Sequence, residues 1–125
     1  MEKILLVEDD PFLIDIYTTK MKESGFQVDV ASSGEAAFQK ASEGNFDLMV
    51  LDIVLPQMDG WEVLVKIQNE KSKNQNLKDL KIIVLSNLGQ KEEVEKGLNL
   101  GATKYLIKAH FTPSQIVEEI KKLIK

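Results

Sequence analysis

The 125-residue chain has no cysteine and no arginine, one histidine, one tryptophan and three prolines. Without cysteine there are no disulfides, thiolate metal sites or cysteine nucleophiles. Without arginine the chain lacks the forked donor that most often reads guanine edges and clamps phosphates, so no direct nucleic-acid binding is expected. All basic residues are lysines, and Lys71, Lys73 and Lys78 lie among polar neighbours that read as a solvated loop rather than a nucleic-acid patch. Long apolar runs are missing too. The first, Ile4 to Val7, stops at Glu8-Asp9-Asp10, which fits neither a secretory h-region nor a membrane span. The chain therefore reads as soluble and cytoplasmic, with no membrane partner.

What is present is a balanced globular composition. Hydrophobic residues make up 43% and charged residues 29%, with 20 acids against 16 lysines for a net charge of −4. That length supports one domain, residues 1–125, able to bury roughly two-thirds of its unfolded surface.

Short apolar runs alternate with amphipathic stretches. Ile4 to Val7, Leu48 to Leu51 and Ile82 to Leu85 show no polar alternation and read as strands buried on both faces. Residues 26–31 alternate, as a strand nearer the edge does, and 104–107 give a last short strand. Asp10-Pro11 and Thr112-Pro113 are cap-plus-proline helix starts, and Ser32 or Ser33 caps a helix ending near Gly44. Further helices are expected at 61–69 and 90–100, the latter with Val94 and Leu98 inward. Residues 70–79 are polar and unpatterned and read as a loop. Five strands and five helices in strict alternation predict an α/β fold, a parallel sheet with right-handed crossovers and helices on both faces.

In such a sheet, sites form beyond the carboxyl ends of the strands. Here the first strand ends in Glu8-Asp9-Asp10, the third in Asp52, the fourth in Ser86 and the fifth in Lys108. Two like charges about 4 Å apart repel by about 4 kcal/mol at an effective dielectric near 20, so Glu8, Asp9 and Asp52 gathered together call for a cation. An oxygen-only donor set of a few carboxylates suits Mg²⁺. Asp52 is then a plausible nucleophile toward phosphorus, with Lys108 and the Ser86 hydroxyl to hold phosphoryl oxygens.

Four segments in order, Ile4-Leu-Leu-Val-Glu-Asp-Asp10, Leu51-Asp-Ile-Val-Leu-Pro-Gln-Met-Asp-Gly60, Ile83-Val-Leu-Ser86 and Gly101-Ala-Thr-Lys-Tyr-Leu-Ile-Lys108, resemble the receiver domain of two-component response regulators over essentially the whole chain. The resemblance implies a flavodoxin-like doubly wound (βα)5 sandwich with a five-stranded parallel sheet in the order 2-1-3-4-5. It implies Asp52 as phosphoacceptor, and Glu8, Asp9, Asp52 and the backbone carbonyl of Val54 as Mg²⁺ ligands. It implies Lys108 as the lysine that pairs with the acid and then with the phosphoryl group, and Ser86 and Tyr105 as the switch pair. Keeping Asp10 free as the helix cap before Pro11 favours Glu8 and Asp9 as the metal pair.

The implied function is a phosphorylation-dependent switch of a phosphorelay, taking its phosphoryl group from a sensor histidine kinase or a histidine phosphotransfer protein. Such a protein assists its own phosphorylation and dephosphorylation and is no enzyme toward a separate substrate. The polar stretch from Glu70 to Asp79 is longer than the family's usual connection, and two positions depart from its pattern: Asn87 stands where Ala or Gly is usual, and Ala109 where Pro is usual. The Lys108–Ala109 bond is therefore either trans with a rearranged loop or cis and strained. These departures leave a second reading, a degenerate receiver that binds proteins without phosphate.

Enzymes on similar folds fit less well. A haloacid-dehalogenase-type phosphatase wants an Asp where Val54 stands, and the acids at 8–10 would repel a flavodoxin's phosphate. Among the remaining candidates, Trp61 reads as helix packing and His110 as an exposed loop residue. Since the chain stops at Lys125, the output is either a downstream protein contact or an effector domain outside this sequence. Lacking arginines to anchor a dimer, the domain is expected to be a monomer, with phosphorylation-dependent dimerisation as the alternative.

Overall fold

The computed structural model describes residues 2–124, so Lys125 and the expected end of the last helix there lie outside the described residues. Strands β1 (Lys3–Val7), β2 (Gln27–Ala31), β3 (Leu48–Leu51), β4 (Lys81–Ser86) and β5 (Lys104–Ile107) form one parallel sheet in the order β2-β1-β3-β4-β5. Helices α1 (Pro11–Glu23), α2 (Gly34–Glu43), α3 (Gly60–Glu70), α4 (Gln75–Lys78), α5 (Lys91–Asn99) and α6 (Pro113–Ile124) complete it. Asp10 caps α1 by accepting from the amides of Phe12 and Leu13, and Ser33, not Ser32, caps α2. Asp10 is thus engaged as a cap, as Pro11 suggested.

Strand side chains alternate between two cores. Leu5, Val7, Met49, Leu51, Ile82 and Val84 face α2, α3 and α4, while Ile4, Leu6, Val50, Ile83, Leu85 and Leu106 face α1 and α6. Both faces of β1, β3 and β4 are covered, which is why their sequences lack polar alternation.

Two expectations need correction. Residues 70–79 are not a plain solvated loop, and there are six α-helices among the described residues rather than five. Asn74 caps the one-turn α4, and the side-chain amides of Asn74 and Asn76 both donate to the carbonyl of Ser42 at the end of α2 (3.2 and 2.8 Å). These bonds pin the turn so that Leu77 is fully buried (0% exposed) against Ala41 and its neighbours in the core. A single apolar residue in a polar decapeptide has no periodicity, so the sequence pattern concealed it. Second, Leu98 does not point inward: it is 45% exposed, and Gly97 is the buried residue of that turn. A Cβ at Gly97 would lie 2.7 Å from the Tyr105 ring, so the missing side chain is what lets α5 close on β5.

Leu77→Ala is expected to cost about 3 kcal/mol in urea unfolding, while Lys73→Ala, on the exposed approach to the same turn, shifts stability by less than about 0.5 kcal/mol. A Leu77→Ala cost as small as that of Lys73→Ala would show that α4 is not anchored in the core.

Candidate phosphoryl and metal site

Register sets the site. Val7 pairs with Leu51, so the next residues, Glu8 and Asp52, leave adjacent strands at the same height; the Asp52 amide donates to the Val7 carbonyl at 3.1 Å. Ser86 pairs with Ile107, so Lys108 leaves β5 one step beyond. The alternation of the strands also carries through. Glu8, Asp52 and Lys108 continue the α1/α6 side of the sheet, whereas Ser86 and Tyr105 continue the other.

Lys108 Nζ donates to Glu8 Oε1 and to Asp52 Oδ2, each at 2.8 Å. The acids are buried, with 2% of Glu8 and 6% of Asp52 exposed. The second oxygen of Asp52 accepts from the Ile53 amide at 2.7 Å, and that of Glu8 from the Asp10 amide at 3.2 Å. Asp9 is exposed, yet Glu8, Asp9 and Asp52 each bring a carboxylate oxygen within 4.8 Å of the others. Three carboxylates and one ammonium leave two negative charges, which a divalent cation neutralises. All donors are hard oxygens, and Asp9 keeps one side open to solvent, so the residues present fit Mg²⁺.

Burial pushes the Glu8 carboxyl above its ordinary range, and the nearby Asp52 charge adds to this against the opposing hydrogen bond from Lys108. For Lys108, desolvation alone would lower the pKa, but the hydrogen bonds and charges of Asp52 and Glu8 together outweigh it and raise it. The lysine thus stays charged between its partners.

On the opposite face Ser86 is fully buried, and its Oγ accepts from the Leu88 amide at 3.2 Å. The Tyr105 hydroxyl donates to the Leu88 carbonyl. Leu88 therefore links the two expected switch residues through its main chain. Nothing in the sequence marked it, because its part is played by backbone atoms.

Gly60 is another position whose role exceeds a turn signal. Its amide donates to the Ile53 carbonyl at 2.8 Å, and a Cβ there would lie 2.5 Å from the carbonyl oxygen of Asp52. Asp59 caps α3 by accepting from the Glu62 amide at 3.0 Å. The Asp-Gly pair thus seats the start of α3 directly against the segment that carries Asp52.

The remaining expectations are placed as follows. Val54 is 64% exposed in the loop after Asp52. Asn87 and His110 are exposed, Trp61 is half-buried against the α2–α4 core, and Tyr105 is half-buried beside it. No cis peptide bond occurs among the described residues, so of the two alternatives the Lys108–Ala109 bond is trans; Lys108–His110 form a single 3₁₀ turn. Lys108 reaches both acids from that turn without the usual proline.

The response regulator receiver domain model matches residues 4–121. The chain belongs to that family. Receiver domains serve as phosphorylation-dependent switches of two-component systems. The receiver is 33% identical over 123 residues to the transcriptional regulatory protein CusR of Escherichia coli, covering 98% of this chain and 51% of that protein. It is 37% identical over 121 residues to the probable transcriptional regulator ycf29 of Porphyra purpurea, covering 97% and 56%. The chain thus spans about half the length of these curated relatives.

Among solved structures it resembles a Francisella response-regulator receiver domain (TM-score 0.88, 28% identity, 99% of this chain and 97% of that one). It also resembles the receiver domain of a Pseudomonas aeruginosa sensor histidine kinase, which has a magnesium ion coordinated in its active-site cleft (TM-score 0.86, 25% identity, 98% and 97%). No helix among the described residues is long and apolar enough to cross a membrane.

In EDTA near neutral pH, Lys108→Ala is expected to cost the receiver about 3 kcal/mol, because two buried carboxylates lose their shared counter-ion. A raised native pKa for Glu8 means that this group's contribution to stability falls as pH rises from the unfolded value of about 4.5. Acidification therefore protonates Glu8 and should shrink the penalty. Urea unfolding across pH checks it, and a penalty that grew toward acid would contradict the assignment.

Proposed function

We propose that this receiver accepts a phosphoryl group on Asp52 from a phosphohistidine on a sensor kinase or phosphotransfer protein, and signals by rearranging its protein contacts. The observation that carries this reading is the buried triad in which Lys108 spans Glu8 and Asp52 at 2.8 Å beside the exposed Asp9. Glu8, Asp9, Asp52 and the Val54 carbonyl would hold Mg²⁺, which when bound supplies positive charge against the phosphoryl oxygens.

A carboxylate oxygen of Asp52 attacks phosphorus, the P–N bond to the histidine breaks, and the imidazole leaves as a neutral ring after taking a proton. The product is an acyl phosphate, later hydrolysed by water to restore the carboxylate and release inorganic phosphate. Lys108, already on an Asp52 oxygen, would then pair with a phosphoryl oxygen. When Ser86 turns its hydroxyl to another phosphoryl oxygen, it gives up the Leu88 amide. The β4–α5 loop and the Tyr105 hydroxyl anchored on Leu88 are then free to shift, and the phosphoryl group biases that two-state element.

The domain would comprise residues 1–125 and turn over no separate substrate. Its kinase partner, its cytoplasmic location and its output, a protein target or an effector domain such as the full-length relatives' extra length allows, belong to the same proposal.

Acetyl phosphate with Mg²⁺ is expected to add one phosphoryl group by intact mass, with no addition in EDTA or in Asp52→Asn. An unchanged mass with donor and metal would sink the reading. Mg²⁺ alone should raise the melting temperature, by a much smaller shift in Asp9→Ala; equal shifts in both proteins would remove Asp9 from the ligand set.

A further inference from the structure

Helices α3 and α5 leave an apolar trough of about 520 Å³ on the flank of the molecule, separate from the acidic site. One wall is the ridge Trp61, Val65 and Asn69, each four residues from the next along α3; the other is Lys96 and Leu100, one turn apart at the end of α5. Val65 is 42% exposed, although it belongs to the same helix as the fully buried Val63, Leu64 and Ile67. Its position puts a β-branched apolar side chain in water, where the protein interior has no use for it.

The trough is preformed. Gly97 lets the Trp61 and Tyr105 rings pack against α5, the nearest Trp61 atom being 3.7 Å from where a Cβ would lie. A rigid aromatic floor loses little side-chain entropy when it is covered.

Charge tells what covers it. Lys96 Nζ sits 4.4 Å above the Trp61 ring, and Lys66 Nζ lies 4.7 Å over the Phe38 ring on the outer side of α3. Among the described residues neither ammonium lies within 4.0 Å of a carboxylate, and of the lysines over aromatic rings these are the two that border the trough. A chain of net charge −4 thus flanks this one apolar trough with two lysines held on aromatic faces instead of ion pairs. Glu62, at the N-terminal end of α3, is the acid on the rim and gives it a direction.

We propose that the trough seats an acidic amphipathic helix of a partner protein. Parallel ridges spaced at i, i+4 form the groove into which a third helix lays its apolar stripe. That stripe rests on Trp61, Val65 and Leu100, and the flanking carboxylates meet Lys66 and Lys96, turned away from Glu62. In a self-complementary dimer a second copy would bring its own Lys66 and Lys96 against this rim, like charge facing like. Phosphorylation is not required, so the proposal stands or falls apart from the Asp52 reading.

Trp61 is the chain's one tryptophan and reports directly on the trough. The unphosphorylated protein is titrated with a tryptophan-free helical peptide carrying leucines at i, i+3, i+4 and i+7 between glutamates. A saturable change in Trp61 fluorescence is expected, about tenfold weaker for the same peptide with lysines in place of glutamates. The double variant Lys66→Glu, Lys96→Glu should reverse that preference, and Val65→Glu should abolish the response while far-UV circular dichroism is unchanged. No saturable response, equal affinity for the two peptides, or full binding by Val65→Glu would overturn the proposal. So would a dimer seen by sedimentation that Val65→Glu dissociates, which would give the face to a second copy.

Discussion

Glu8 and Asp52 stand side by side at the end of two adjacent strands, buried where water screens little, and their repulsion would be intolerable without the Lys108 ammonium between them. That ammonium is delivered from β5, two strands away from Asp52 and 56 residues further along the chain. Its two 2.8 Å hydrogen bonds hold the rim together and leave two negative charges, an amount that a divalent ion can cancel. A buried ion pair of this kind contributes less to stability than its Coulomb energy suggests, since three groups have been taken out of water to form it. Its value lies in orienting two buried carboxylates in a site that remains open through Asp9.

The pleat of the sheet separates the proposed phosphoryl site from the proposed switch pair. Acids and lysine project on the α1/α6 side of the rim, while Ser86 and Tyr105 project on the side of α2 to α5. The two sides meet at the β4–α5 loop, where one residue, Leu88, bonds the Ser86 hydroxyl through its amide and the Tyr105 hydroxyl through its carbonyl. On that second side Gly97 draws α5 onto Tyr105 and Trp61, so the expected switch aromatic and the lysine-flanked trough share one packed layer. The close approach of Gly60 to Asp52 ties the start of α3, and with it the head of the trough, to the same rim.

The departures from the family pattern prove structurally mild. Ala109 in place of proline gives a trans bond and a single 3₁₀ turn, and the lysine still reaches both acids. Asn87 is turned to solvent. The longer connection between α3 and β4 is stitched down by Asn74 and Asn76 on the end of α2, with Leu77 beneath them, so it extends the core beside α2.

The sequence alone was enough to determine the alternation of buried strands with capped helices, and the placement of acids, serine and lysine at strand ends. Both are local properties, since hydrophobic period and cap chemistry are written within a few residues. Resemblance supplied the strand order, and the structure bears it out. Tertiary structure alone decided which carboxylate oxygens Lys108 would take, because that depends on register across three strands. It alone showed Leu77 buried, Leu98 exposed and Leu88 acting through its backbone. Each of those depends on what another segment brings alongside: the Ser42 carbonyl, the Tyr105 ring, the Ser86 hydroxyl. A one-dimensional pattern holds no record of neighbours that the chain meets only after folding.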